Sequence, residues 1–220
     1  MKTYNLQQQT PEWHELRHGK IGGTTSEQLH TSGDALLNQM IAERVEQFDP
    51  MSSQSFVSDA MQRGIDMEPQ ARAYMEEYLS TKLEVPGWCQ SDELDFMGFS
   101  PDGITSDYRT AIEIKCPSAK VHVEYIRLGD RVPQKYTHQL AQMFAVCEQL
   151  ETVYFCSYRP EFTAKPAHIV KVTRHTMAPV IAKLEKKHGP MTFGSLAQIK
   201  MEEAWDLNDR IVAELEKLEG

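Results

Sequence analysis

The sequence predicts an α/β fold, a mixed β-sheet flanked by helices, and three observations point to it. Up to about residue 80 the apolar residues recur at helical spacing. After Pro86 the pattern shifts to period two in short segments. Further on, a strong helical stripe is followed by two β-rich runs and then by helical patterns again. The 220 residues suit one sizeable domain, taken as 1–220, with no internal repeat and no low-complexity segment.

In chain order, Thr10 is placed to cap a short helix over Thr10–Leu16, with Pro11 in its first turn and Trp13 and Leu16 on one face. Arg17 to Ser26 then form a glycine-rich turn with basic residues followed by hydroxyls. These are the parts of a phosphate site, although a plain connection between helices uses the same residues. Leu37, Met40, Ile41, Val45 and Phe48 mark a helix over about Ala35–Phe48, and 49–55 reads as a polar loop. A second helical pattern runs from about Phe56 to Leu79, interrupted at Gly64 and restarted at Pro69, with Ala71, Tyr74, Met75 and Tyr78 inward. Glu68 borders that face, where an i,i+4 ion pair with Arg72 is an adequate role for it.

Short strands over Cys89–Ser91, Leu94–Phe99, Ile104–Thr105 and Ala111–Lys115 read as an antiparallel meander. Lys120–Leu128 reads as helix, and so does Pro133–Leu150, whose buried stripe is Tyr136, Gln139, Leu140, Met143, Phe144 and Cys147. Gln139 is an amide in the middle of an apolar face and needs a partner, structural or ligand. Thr152–Tyr158 and Ala167–Val172 extend the sheet, and helices follow at His175–His188 and Lys200–Leu218. Met201, Ala204, Trp205, Asn208, Ile211, Val212, Leu215 and Leu218 form the expected stripe of the last helix.

Composition sets bounds on function. Hydrophobic content of 40% and charged content of 25% are ordinary for a soluble globular protein. No apolar run approaches a membrane span, and the opening MKTYNLQQQTPEW lacks a signal peptide's apolar core, so a cytoplasmic protein is expected. The four cysteines make no CxxC pair, which argues against a zinc ribbon or iron–sulfur cluster and for reduced thiols. A net charge of −9 disfavours a broad nucleic-acid surface, so any DNA contact is expected in a narrow groove.

Chemistry concentrates in Gly98–Pro117. Side chains alternate along Ala111–Lys115, so Ile112 and Ile114 face one way while Glu113 and Lys115 face the other. If the segment folds back as a hairpin, Asp102 joins the pair. Two carboxylates in reach of each other suit a hard cation such as Mg²⁺, and a neighbouring lysine can activate water or stabilise negative charge. The chemistry favoured is metal-assisted phosphodiester hydrolysis. The same string also fits a hairpin carrying a surface ion pair.

The spacing Pro101–Asp102, then Glu113-Ile114-Lys115, resembles the PD-(D/E)XK nuclease motif. The chain as a whole resembles the lambda exonuclease family, the YqaJ type within that superfamily. The matching strings, in order, are Trp13-His14-Glu15-Leu16-Arg17-His18-Gly19, Arg63-Gly64 with Glu68 and Arg72, and Ser100-Pro101-Asp102-Gly103. They continue through Glu113-Ile114-Lys115-Cys116-Pro117, Arg127-Leu128-Gly129 and Tyr136-Thr137-His138-Gln139. The resemblance implies a restriction-endonuclease-like domain in which Glu68, Asp102, Glu113 and the Ile114 carbonyl hold Mg²⁺, two ions per site, with Mn²⁺ as a substitute. It implies that Asp102, Glu113, Lys115 and Gln139 are catalytic, with Lys115 orienting or activating water and Tyr136 completing a glutamine–tyrosine motif. Arg17, Thr24 and Ser100 match a pocket for a 5′-terminal phosphate, Thr24 departing from serine but keeping the hydroxyl, and Trp13 stacks near the duplex end.

The implied function is a processive 5′→3′ exonuclease on linear double-stranded DNA that releases 5′-mononucleotides. It leaves 3′ overhangs for a single-strand annealing recombinase and works as a homotrimeric ring in a bacterial or phage-infected cytoplasm. An endonuclease of the same superfamily and a silent DNA-binding or assembly module remain as alternatives.

Overall fold

The computed structural model describes residues 1–50 and 58–219. It opens on a strand that the sequence reading lacked, β1 (Lys2–Tyr4). The first helix, α1 (Pro11–Arg17), is capped as expected, with Thr10 Oγ1 accepting from the Trp13 amide at 3.3 Å. Two further helices follow, α2 (Gln28–Thr31) and α3 (Asp34–Val45). α3 stops short of Phe48; it buries Leu36, Leu37 and Met40 and leaves Val45 exposed. The loop expected at 49–55 and the helix start expected at 56 fall largely on residues 51–57, outside the described residues.

α4 (Asp59–Leu79) is a single helix that Gly64 and Pro69 do not break. Pro69 forgoes a helical hydrogen bond at a cost of about 3 kcal/mol. Complete burial of Ala71 and Met75 under the sheet offsets that cost. Tyr78, expected inward, is exposed and meets Tyr154 edge-on.

Two sheets carry the strands. β2 (Trp88–Gln90) and β3 (Gly98–Phe99) join β1 in an antiparallel sheet of order β1-β2-β3. β4 (Gly103–Ile104), β5 (Thr110–Lys115), β6 (Thr152–Tyr158) and β7 (Ala167–Thr173) form the mixed sheet in that order, with β5 and β6 parallel. The expected single meander is therefore split. The break falls at Pro101, which has no amide for a ladder, and at Asp102, whose carboxylate takes the Ile114 amide.

Gly98 is fixed by its neighbours, since a Cβ there would stand 2.3 Å from Trp88 Cζ2 and 2.4 Å from the Cys89 carbonyl oxygen. Gly98→Ala is expected to destabilise the fold by roughly 1–3 kcal/mol. The measurement is a urea melt, in which the midpoint should fall at unchanged slope; an unchanged midpoint contradicts the contact.

The remaining helices are α5 (Ala119–Arg127), α6 (Thr137–Val146), α7 (Ala182–His188) and α8 (Phe193–Glu219). α6 is shorter than the expected Pro133–Leu150: a 3₁₀ turn at Gln134–Tyr136 precedes it, and Cys147 leaves it in extended conformation. It is buried nearly all round rather than along one stripe. α7 starts later than His175, because Met177 bridges to Thr192 and Pro179 restrains the residue before it. α8 begins earlier than Lys200, at the fully buried Phe193. That start carries its inward line through Leu196, Lys200, Ala204, Leu207 and Ile211, while Trp205, Val212 and Leu218, expected inward, are exposed.

The mixed sheet has apolar cover on both faces. Ile112, Ile114, Cys156 and Tyr158 pack with Ala71 and Met75 of α4. Ala111, Val153 and Phe155 face the larger core with α5, α6 and α8. The two-face reading of β5 holds, and Glu113 points to the α6 side in register with Phe155. All four cysteines are free and buried. Among the described residues no helix is long and apolar enough to cross a membrane.

Candidate active site

The hairpin β4–β5 sets the geometry. Gly103 pairs with Ile112 and Ile104 with Ala111, which brings Asp102 back beside the end of β5. Asp102 Oδ2 accepts from the Ile114 amide at 2.6 Å. Glu113 is fully buried, and its Oε1 accepts from Lys115 Nζ at 2.5 Å and from Gln139 Nε2 at 2.7 Å. The amide that was out of place on an apolar helix thus has its partner, a carboxylate. The second oxygen, Glu113 Oε2, is buried and among the described residues has no hydrogen-bond partner. Lys115 Nζ stands 5.0 Å over the Tyr136 ring, and Tyr136 meets Tyr125 hydroxyl to hydroxyl at 3.2 Å.

Glu68 reaches the same corner from α4. Arg72 pairs with it and donates Nε to the Asp102 carbonyl oxygen at 2.6 Å. The i,i+4 pair is therefore present, and it ties Glu68 to the Asp102 turn. Arg72 was legible in the sequence only as Glu68's partner; the link to Asp102 depends on the hairpin.

The electrostatics are those of negative charge packed away from water. Burial pushes Glu113 up to about 7; Lys115 pulls against this, while Asp102 and Glu68 add to it. Glu68 also rises to about 7, through burial and then Asp102, against Arg72 and Lys115. Burial raises Asp102 in the same way, opposed by Lys115. Burial alone would lower Lys115, but Glu113 and Asp102 outweigh it and hold the ammonium above its ordinary range. Among the described residues the carboxylates do not close into a three-ligand cage; Arg72 pairs with Glu68, and Lys115 caps one oxygen of Glu113. The unpartnered Glu113 Oε2, with Asp102 close enough to raise its pKa, fits a hard cation.

A second charged feature lies beside the first. The Arg17 guanidinium sits 4.0 Å over the Trp13 ring and 5.5 Å from the Trp88 ring. Its Nε is buried without a partner, and among the described residues Arg17 makes no ion pair. Burial pulls its pKa to about 10. Trp13 Nε1 donates to the Gly87 carbonyl oxygen at 2.7 Å and contacts Ser100 Oγ at 3.2 Å; Ser100 in turn donates to Gly87 at 2.6 Å. Trp13, Arg17 and Ser100 are thus brought together, with Trp88 as an indole the sequence reading did not select. No local pattern marks Trp88; only the sheet places it there.

The glycine turn joins the two features. A Cβ at Gly22 would stand 2.7 Å from Arg17 Nη2, and one at Gly23 would stand 2.9 Å from Gln139 Cγ. A side chain at either position would push Arg17 or Gln139 out of place, so glycine lets the backbone pass this close to both. Thr24 is exposed on the turn and has no hydrogen bond among the described residues. The hydroxyl that closes the turn is that of Thr25, which accepts from the Gly22 amide at 3.1 Å. Gln142 was also missed. It is fully buried and donates to the Ile21 and Gly98 carbonyl oxygens at 3.2 and 3.3 Å, pinning α6 to the base of this turn.

The model of the YqaJ-like viral recombinase domain matches residues 12–150, a span that contains every candidate site residue from Trp13 to Gln139. Among curated proteins, no sequence matches the chain. An alkaline exonuclease, LHK-Exo, from Laribacter hongkongensis is 23% identical, with a TM-score of 0.72 over 96% of this chain and 96% of that one. The structure of LHK-Exo in complex with dAMP is 24% identical, with a TM-score of 0.72 over 95% of this chain and 96% of that one. At these identities the likeness speaks for a shared fold, the mixed sheet between helices described above. With well over half of its length matched by the family model, the chain belongs to the YqaJ-like viral recombinase domain family.

Proposed function

We propose that this chain is a divalent-metal-dependent 5′→3′ exonuclease acting on the ends of double-stranded DNA, with residues 1–220 as one nuclease domain. One observation carries the reading. A carboxylate–lysine cluster around the buried Glu113, with one oxygen unsatisfied, is joined through Gln139 and the Gly22–Gly23 turn to a guanidinium that, among the described residues, has no counter-ion. The first suits a cation and the second an anion, and a terminal phosphodiester carries the charge that needs both.

Glu68, Asp102, Glu113 and the Ile114 carbonyl would hold Mg²⁺, with Mn²⁺ as a substitute. Bound there, the ions supply neutralisation of the scissile phosphate's charge and acidification of a water nucleophile. Lys115 stays protonated beside Glu113, so it donates hydrogen bonds to the attacking water or to a phosphate oxygen rather than removing a proton. Gln139 holds Glu113 through Oε1, which leaves Oε2 for the cation. Arg17 binds the 5′-phosphate, with Ser100 and Trp13 shaping the pocket. Each cut then leaves a new 5′-phosphate for the same clamp. The family resemblance extends the proposal to a homotrimeric ring around DNA and a single-strand annealing partner, with light scattering as the test of the ring.

The deciding experiment uses linear duplex DNA labelled separately at the 5′ and 3′ end of each strand, with and without Mg²⁺. Release of the 5′ label first, as mononucleotide, only with metal and faster from phosphorylated ends, supports the reading. Internal cuts would replace it with an endonuclease, and no cleavage with any metal would replace it with a silent binding module.

A stability measurement tests the cation site independently. The folded-state values of Glu68 and Glu113, near 7, lie above the ordinary glutamate value of about 4.3. Between these values the folded chain holds more protons than the unfolded one, so the cluster's contribution to stability falls as pH rises towards 7. In EDTA, the Tm contribution of these groups should therefore be lower at pH 8 than at pH 5.5. Mg²⁺ should raise Tm more at pH 8, where the carboxylates are ionised, than at pH 5.5. Equal Mg²⁺ shifts at both pH values would contradict the ligand assignment.

A further inference from the structure

The glycine turn is held from behind by α8, outside the segment that the family model matches. Lys200 is 0% exposed, and its Nζ donates to the Ser26 carbonyl oxygen at 2.7 Å. Ser26, also fully buried, shares its hydroxyl hydrogen between the Gly23 carbonyl oxygen at 2.8 Å and the His138 carbonyl oxygen at 3.0 Å. Gly23 lies directly on Gln139, which holds Glu113. A chain of contacts thus runs from α8 through the turn to the carboxylate cluster.

Lys200 is costly where it stands. Among the described residues it has no carboxylate at ion-pair distance: Glu203 pairs with His30 and with Lys187 at 3.6 Å, and Glu27 acts only from farther away. The neighbouring His138 adds no second positive charge, since burial, Lys200 and His30 keep it neutral. Burial pulls the Lys200 ammonium to about 7. An apolar side chain on the inward line of α8 would pack there without the desolvation cost of an ammonium. What Lys200 adds is a directed hydrogen bond to Ser26, whose hydroxyl contacts both the turn and α6.

We infer that Lys200 is a positioning residue for end recognition: through Ser26 it sets the Gly22–Thr24 turn between Arg17 and Gln139. The inference rests on the exonuclease reading above. The test measures kcat and KM in Mg²⁺ on duplexes with 5′-phosphate and 5′-hydroxyl ends for the wild type, Lys200→Met, Lys200→Arg and Ser26→Ala. Lys200→Met should lower kcat on phosphorylated ends about tenfold, as expected for one buried hydrogen bond, and move the phosphate-to-hydroxyl rate ratio towards one. Lys200→Arg should recover part of that ratio. Ser26→Ala should reproduce the loss, and the double variant should be no worse than either single one.

A Lys200→Met enzyme that keeps the wild-type ratio overturns the inference alone. Equal loss on both end types with a lowered Tm makes Lys200 merely structural and also overturns it. If Lys200→Met does not fold, Lys200→Leu decides by the same ratio. A wild type with no preference for 5′-phosphate overturns the end-recognition reading and takes this inference with it.

Discussion

Lys115→Ala is expected to lower metal-dependent cleavage by on the order of 10³-fold while duplex binding is retained. The side chain lies 2.5 Å from Glu113 Oε1 and 5.0 Å over the Tyr136 ring, so its ammonium is fixed at the end of β5 rather than free on a surface. Its charge is held by Glu113 and Asp102 against the desolvation that would otherwise lower it. Alanine removes the donor to the reacting atoms and the cation that balances the Glu113 and Asp102 carboxylates. The variant should therefore lose stability without metal and regain much of it in Mg²⁺. Binding measured in Ca²⁺ separates the roles. Retained binding with lost cleavage makes Lys115 catalytic, whereas lost binding makes it a phosphate contact.

The second large effect concerns the duplex end. Arg17→Ala should lower the rate on 5′-phosphorylated ends by about 10²-fold, the worth of two charge-assisted hydrogen bonds, and change 5′-hydroxyl ends little. The guanidinium lies against Trp13 and Trp88 with its Nε buried and, among the described residues, without a counter-ion, an arrangement that costs folding energy and makes physical sense beside an anion. Removing it should leave Tm unchanged or higher. Arg17→Lys should restore little, since an ammonium neither forks around a phosphate nor stacks flat on an indole. Equal loss on all end types would contradict the clamp.

Both effects depend on residues that were legible for different reasons. Asp102, Glu113 and Lys115 were readable because strand alternation and a Pro–Asp–Gly turn are local properties. A hairpin of that length returns Asp102 to the same corner whatever the rest of the chain does. Gln139 was readable as an anomaly, a polar group on an apolar face. Helix types were read well where stripes were long. Helix ends were read badly wherever burial overrode propensity, as at Pro69 inside α4 and at Phe193, which sets the register of α8.

The sequence by itself determined the α/β class, the acid–lysine strand and the glycine turn with its arginine, because these follow from residue type at short range. Only the tertiary structure decided that the strands divide into two sheets and that Trp88 completes the arginine's stack. It also decided that the Thr25 hydroxyl closes the turn, and that Lys200 lies buried behind it. Each of these depends on which surfaces the core brings together, and a contact between residues 26 and 200 leaves no trace in the spacing of either segment.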